Sequence, residues 1–456
     1  MLTTASLDLT HRNPEIPGLG LVLDPEALLA ALNGTGPTRL EAPRVRSVRI
    51  EPHIFCRAAY QFDVAGSTLD ADVRACRPQD LARLLRGRDR DGGGGTRAAG
   101  VTVLADRAVV VDLFPFDPKL PALRQLTGPT ERARLLRQLL PTRPDLWSGE
   151  LRCLRHRLGR RYVAELRGPS GARALLKVST PKGHVRCVHN ATAFRSSGPL
   201  RIARLLARQD GLGMAAFEWL QGAQLLDLCG APEADRSAVA AAAAALATLH
   251  GQRPRGLSRW TREAEEADLA AVAGEIGFLA PPLSPLASDL SQRLRAHLVA
   301  APSIALPLHG DFSARHVLVK GRCAAIVDLD WACRGDPADD LGGILAQAER
   351  RALCGELPRD RAGWFIDAFP RAYQEASGVE PPERVVLYRA IELFRGARFP
   401  FRRQEPDWEA RTRGLLERAT KVLDHAQSCM PRRARRLSIP PLCRNRARES
   451  ARATTK

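Results

Sequence analysis

Aromatic side chains are scarce in this 456-residue chain: phenylalanine, tryptophan and tyrosine together make up 5% of it. Base-stacking surfaces need aromatics interleaved with basic residues. The net charge of +19 therefore does not by itself argue for a nucleic-acid partner. Most of that charge is arginine spread along the chain. It reads as a favoured surface residue rather than as one face for nucleic acid, an anionic membrane or a phosphorylated metabolite. Metal-knuckle and redox patterns are missing too. The ten cysteines include no CxxC pair, and no histidine follows them at zinc-finger spacing. Cys323, beside Ala324 and Ala325, reads as a buried thiol. The opening residues, MLTTASLDLTHRNPEIPG, contain no basic stretch followed by an apolar core. The longest apolar run, Ala238 to Leu246, is too short and too rich in alanine to span a bilayer. These absences lead to the expectation of a cytoplasmic protein with no membrane span.

What is present suffices for a sizeable core, since 45% of the residues are apolar. The length suggests two or three domains. Residues 1–150 carry short strand-like runs such as SVRI at 47–50 and VTVLADRAVVVDLF at 101–114. The latter predicts two strands around an Asp-Arg turn. Within this region RGRDRDGGGG at 86–95 is a charged, glycine-rich loop. Residues 151–222 predict a second strand-rich segment, in which RGPSG turns one strand into the next. Residues 223–426 are mostly helical, interrupted by a hairpin near 317–328. Residues 427–456 are basic, proline-punctuated and poor in aliphatics, the composition of a disordered tail. The run from Val48 to Pro78 echoes that from Arg152 to Pro181. The echo fits either a degenerate copy of a small β-rich lobe or two unrelated meanders.

The segment LPLHGDFSARHVLVKGRCAAIVDLDWACRGDPADDLGG, residues 306–343, carries the chemistry. HVLV, a Lys-Gly turn and CAAIVD predict a β-hairpin. Its open mouth joins Asp311, just before the first strand, to Asp328, at the end of the second, with Asp330 close behind. Phosphoryl transfer uses such a pair, one carboxylate for the attacking hydroxyl and one for the cation on the nucleotide phosphates.

HGD, a polar residue five positions after its aspartate, the apolar strand, IVDLD and GDPADDL together resemble the catalytic core of the aminoglycoside phosphotransferase and choline kinase family. The resemblance covers roughly residues 150–425. It implies an α+β, bilobal, protein-kinase-like fold: a small β-rich lobe and a larger helical lobe, here with an additional N-terminal α/β region. It also implies a phosphotransferase that moves the γ-phosphoryl group of ATP or GTP to a hydroxyl of a small acceptor. By the same resemblance Asp311 is the catalytic base, with His309 of the same motif counted in the catalytic site. Asp328, Asp330 and His316 would hold Mg²⁺ or Mn²⁺, and Asp340 would brace the catalytic loop. Lys177 would grip the phosphates, and the connector at Glu218, Trp219 and Leu220 would hold the adenine. The segment RLGRRYV at 157–163 lies where a phosphate-covering loop belongs.

Two positions depart from the family pattern. His316 stands where the family has asparagine, and imidazole nitrogen suits Mg²⁺ less well than amide oxygen. No helical glutamate is available to Lys177, because Asp210 is the sole acidic residue between it and Glu218. His189 holds a plausible helix position but supplies no countercharge, which would leave Lys177 to the phosphates alone. A pseudokinase serving as a nucleotide-binding or interaction module is therefore the alternative reading. The acceptor is not encoded in a motif. Glu263, Glu265, Glu266 and Asp268 could face a cationic acceptor or form a solvated helix face.

Overall fold

A computed structural model describes residues 2–35, 39–86, 100–231, 235–380 and 384–429. Most of the glycine-rich loop at 86–95 and the tail from 430 onward lie outside the described residues. The last helix, Trp408–Cys429, runs past the boundary read at 427.

Two antiparallel five-stranded sheets dominate the first half. The first contains β1 (Glu41–Glu51), β2 (Phe55–Val64), β3 (Ser67–Cys76), β4 (Val101–Leu104) and β5 (Val109–Leu113), in the order β1-β2-β3-β5-β4. The second contains β6 (Glu150–Arg157), β7 (Arg161–Arg167), β8 (Arg173–Ser179), β10 (Leu205–Gln209) and β11 (Met214–Glu218), in the order β6-β7-β8-β11-β10. The short strand β9 (Leu200–Arg201) pairs elsewhere. The two orders are the same. Each sheet is a three-stranded meander, then a proline-led helix (Pro78–Leu85 or Pro181–Ala193), then a hairpin whose second strand docks on the third strand of the meander. Both hairpins turn through a short 3₁₀ segment closed by a left-handed residue, Ala108 or Gly213. The echo between Val48–Pro78 and Arg152–Pro181 is thus a repeated topology, and it extends through the following hairpin.

The packing crosses one expected boundary. Helices Ala122–Thr127 and Pro129–Leu139 bury Leu123, Leu126, Leu135, Leu136 and Leu139 against Tyr162, Leu166, Leu176 and Val178 of the second sheet. The helices that pack on that sheet thus begin at Ala122, ahead of residue 151. The first sheet shares its core with the helical region. There Arg12 donates to the carbonyls of Phe278 and Leu279 at 2.9 and 3.3 Å.

The second half is the helical lobe. Asp235 caps helix Arg236–His250 by accepting from the Ala238 amide at 3.0 Å. The small side chains of that helix, Ala238, Ala241, Ala242 and Ala245, are buried and permit close approach of the hairpin and of helix Arg359–Ser377. The expected hairpin is β14 (Val317–Lys320) and β15 (Cys323–Ile326), with Val317 opposite Ile326 and Gly321 left-handed in the turn. It lies in a small sheet with β9 and β12 (Ala223–Gln224). Strands β13 (Leu306–Leu308) and β16 (Cys333–Gly335) form a ribbon beneath it. Among the described residues no helix is long and apolar enough to cross a membrane. The cysteines from Cys56 to Cys354 are free thiols, and Cys323 is half-buried rather than enclosed.

Candidate functional site

GDPADDL opens a helix for local reasons. Asp336 caps helix Pro337–Leu353 by accepting from the Ala338 amide at 3.0 Å, Pro337 fits the first turn, and Asp339 and Asp340 sit at its positive end. Asp340 is buried and turned toward the HGD loop. Its carboxylate accepts the backbone N–H of His309 at 2.7 Å and of Gly310 at 2.9 Å, and faces His250 Nε2 at 3.1 Å. Burial would raise its pKa, but His250 and His309 outweigh burial and hold it below the usual carboxylate value.

The HGD loop is held from its other side by His309. This residue was counted as catalytic from its place in the motif, yet its ring is fully buried. Nδ1 accepts the Asp311 amide at 3.2 Å, which requires Nε2–H to donate to the Val327 carbonyl at 2.9 Å. With both nitrogens used inside the protein, His309 positions the loop instead of meeting a substrate. Gly310 is left-handed at φ +75°, and a Cβ there would come within 2.3 Å of the Trp331 carbonyl. These constraints leave the Asp311 side chain exposed at the mouth of the hairpin.

Asp328 is left-handed too, at φ +67°. Its carboxylate is engaged on both oxygens. Arg161 Nη1 reaches Oδ1 at 2.8 Å and Nη2 reaches Oδ2 at 2.7 Å, a parallel two-pronged pair. Arg161 Nη1 also donates to Asp330 Oδ2 at 2.6 Å. Lys177 Nζ bridges Asp328 Oδ1 at 3.2 Å and Asp330 Oδ1 at 3.0 Å. Lys177 therefore does not lean on phosphates alone, as the missing glutamate had implied: the two aspartates are its countercharge. The α-helical residue beside it is Cys187, whose thiol lies near Lys177 and Asp330 and is pushed up to about 12 by burial. His189 points elsewhere, with Nε2 3.0 Å from the Gly256 carbonyl.

Burial alone would raise the pKa of Asp328, but Lys177 and Arg161 overcome it and hold the group far below the usual carboxylate range. Asp330 is lowered in the same way, with Lys177 the main opposing charge. Losing one member of such a buried set costs about 3–5 kcal/mol.

His316 stacks on His309, with ring centroids 5.5 Å apart. Its Nδ1–H donates to the Asp311 carbonyl at 2.9 Å, and Nε2 faces Asp328 Oδ2 at 3.6 Å. Burial and the neighbouring His309 lower its pKa, which keeps the ring neutral.

The resemblance implies Mg²⁺ at Asp328, Asp330 and His316. Their arrangement does not suit it. All four carboxylate oxygens already accept from Arg161 or Lys177, and the two cations balance the two aspartates. The remaining donor is an imidazole in place of an amide oxygen. Among the described residues no group of three or more His, Cys, Asp or Glu side chains is placed to hold a metal ion.

A cavity of about 630 Å³ lies over this centre. The connector residues Glu218, Trp219 and Leu220 line one end, and Lys177, Asp328 and Asp330 line the other. Arg173 stacks over the Trp219 ring at 4.1 Å. The segment 157–163 forms the tight β6–β7 turn, with Gly159 left-handed. The Gly159 amide is not free for a ligand, because it donates to Asp117 at 2.6 Å. Arg57 of the first sheet packs against its Cα.

Glu263 is exposed, as on a solvated helix face, but the other three acidic residues at 265–268 fit neither sequence reading. Glu265 is buried, accepts from Tyr388 at 3.4 Å and lies 3.5 Å from Arg395. Asp268 accepts from Arg395 at 2.8 Å, and Glu266 pairs with Arg295 at 3.5 Å. These carboxylates bind helices together.

Sequence motifs missed three contributors: Arg161, Asp117 and Asn190. Asn190 of helix Pro181–Ala193 is buried, and its amide donates to the carbonyls of Leu329, Asp330 and Ala332 at 3.1–3.3 Å. It thereby ties that helix to the Asp328–Asp330 loop.

Three solved structures illustrate the likeness. A choline/ethanolamine kinase family protein from Mesorhizobium loti is 18% identical, with 65% of this chain and 95% of that one covered and a TM-score of 0.45. A thermostable mutant of aminoglycoside phosphotransferase APH(4)-Ia, in ternary complex with AMP-PNP and hygromycin B, is 17% identical, with 64% and 97% covered and a TM-score of 0.46. Choline kinase from Cryptosporidium parvum is 11% identical, with 65% and 95% covered and a TM-score of 0.44. No curated protein matches this chain. The family described as "Phosphotransferase enzyme family" matches residues 159–379, a span that holds Arg161, Lys177, the connector, the HGD loop and the GDPADDL helix. The match covers somewhat less than half of the chain, and over that span the chain is similar to the family.

Proposed function

We propose that the protein transfers the γ-phosphoryl group of ATP or GTP to a hydroxyl of a small metabolite or antibiotic-like acceptor. The observation that carries this reading is the HGD loop, which Asp340 and His309 lock in place while Asp311 remains exposed beside the cleft. An exposed carboxylate on a rigid loop suits a general base that orients and deprotonates an incoming hydroxyl. In this reading the connector at Glu218–Leu220 takes the base of the nucleotide, and Lys177 takes its phosphates. Asp340 acts through the loop and touches no substrate. The test is consumption of ATP or GTP in the presence of a metabolite pool, with a new phosphoester detected by mass spectrometry. Wild type should form it and Asp311→Asn should not. Equal product from both proteins would remove the assignment.

One observation favours the alternative, a pseudokinase that binds nucleotide or partners without turnover. Arg161 and Lys177 neutralise the carboxylates on which the family relies for metal. Nucleotide binding with no phosphoester from any pool would move the conclusion to that reading.

A further inference from the structure

The guanidinium of Arg161 lies where the resemblance puts a divalent cation. It is buried on β7 and spans Asp328 and Asp330 together, using both terminal nitrogens. A guanidinium is planar, permanently charged and matched to two parallel carboxylate oxygens, so Mg²⁺ finds no unbalanced negative charge there and would have to displace a hydrogen-bonded cation. The third nitrogen, Nε, is buried and has no hydrogen-bond partner among the described residues. It is a donor in want of an acceptor.

The surroundings are cationic as well. Arg155 and Arg157, on β6, and Arg160, in the following turn, make no ion pair among the described residues, and the nearest charges to each include other arginines. Arg161 also lines a neighbouring cavity of about 800 Å³, whose wall includes Lys119, Arg160, Lys182 and Arg186. Asp311 and Asp328 offset Arg155 and Arg157 only in part, and guanidinium groups in such excess around a cleft are what a polyphosphate anion would neutralise.

Resting on the nucleotide reading of the cleft, we propose that Arg161 replaces the divalent cation and that the site takes its nucleoside polyphosphate without metal, the phosphates being held by Arg161, Lys177 and the arginines of β6. Metal and nucleotide are tested separately, so that the two ideas fail differently. In the first arm Mn²⁺ alone is titrated into the full-length protein and free ion is followed by electron paramagnetic resonance. Wild type should immobilise none at up to about 1 mM, a range that includes ordinary protein sites for hard cations. Arg161→Met, which uncovers Asp328 and Asp330, should immobilise one ion per chain. Binding of Mn²⁺ to wild type as tight as to the variant overturns the exclusion of metal.

In the second arm ATP is titrated calorimetrically in EDTA and again in Mg²⁺. Wild type should bind with equal affinity in both, and Arg161→Met should bind only with Mg²⁺. A tenfold or greater gain from Mg²⁺ in wild type, about 1.4 kcal/mol, overturns the replacement. Absence of ATP binding in both buffers overturns the nucleotide reading and the phosphate-holding role with it, while the Mn²⁺ arm still decides whether Arg161 excludes metal. If Arg161→Met does not fold, Arg161→Lys keeps the charge but cannot span both carboxylates, and the wild-type measurements stand without either variant.

Discussion

Asp340 receives the backbone N–H of His309 at 2.7 Å from a helix that begins only three residues earlier, at Pro337. The same carboxylate takes the Gly310 amide and faces His250, whose other nitrogen meets the Tyr373 hydroxyl at 2.9 Å. One buried side chain therefore fixes the HGD loop, the first long helix of the lobe and helix Arg359–Ser377.

Asp340→Ala should lower stability by about 3–5 kcal/mol, because three buried donors lose their acceptor at once. Asp340→Asn keeps an acceptor oxygen and should lose less. Chemical denaturation of both variants measures the difference. Equal stability of Asp340→Ala and wild type would show that the loop stands without this brace.

Asp311→Asn should leave the melting temperature within a degree or two of wild type, since the side chain is exposed. It should reduce phosphoryl transfer about 10²-fold or more. Turnover within a few-fold of wild type at saturating nucleotide would take Asp311 out of the chemistry.

Gly310→Ala should be costly despite its small size. The left-handed backbone penalises a Cβ by about 1–2 kcal/mol, and that Cβ would meet the Trp331 carbonyl at 2.3 Å. A fall of several degrees in melting temperature with at least tenfold loss of turnover is expected. Unchanged values would mean that the loop has room to move.

His156 gives the fold a pH dependence. Its enclosed ring lies between Asp70, at 3.1 Å, and Asp117, at 3.6 Å. Burial disfavours the charged ring, but the two carboxylates outweigh it and raise the pKa above 6.5. The stabilisation is then complete below about 6.5, the unfolded value, and is lost as pH rises through the higher folded value. Its size is about 1.4 kcal/mol for each unit by which the pKa is raised. Wild type should unfold at lower urea at pH 9 than at pH 6, and His156→Asn should lose most of that difference. Parallel pH profiles would assign the effect to other groups.

The sequence reveals this site unevenly, for physical reasons. Asp311, Asp328 and Asp340 are legible because their spacing is tied to one hairpin and one capped helix, both local in the chain. Arg161 is not. It lies in RLGRRYV among other arginines, and its role arises only when the β7–β8 register sets Val163 opposite Lys177, placing Arg161 over two aspartates more than 160 residues away. Asp117 and Asn190 are hidden in the same way, since each bonds to backbone far along the chain. The repeated sheet was half legible. Its meanders share turn and proline positions, but the closing hairpins share only connectivity, which no residue pattern announces.

That first sheet makes a second bridge across the molecule. Residues at one end of the N-terminal region grip the helical lobe, where Arg12 bonds to the Phe278 and Leu279 carbonyls. At the other end Asp70 and Asp117 hold His156 and the Gly159 turn of the second sheet. The connector at Glu218–Gly222 is thus not the sole link between the walls of the cleft, and opening by a swing about that connector would have to break one attachment or the other. The cleft is braced from outside its own connector, and Arg161 is among the side chains that line it.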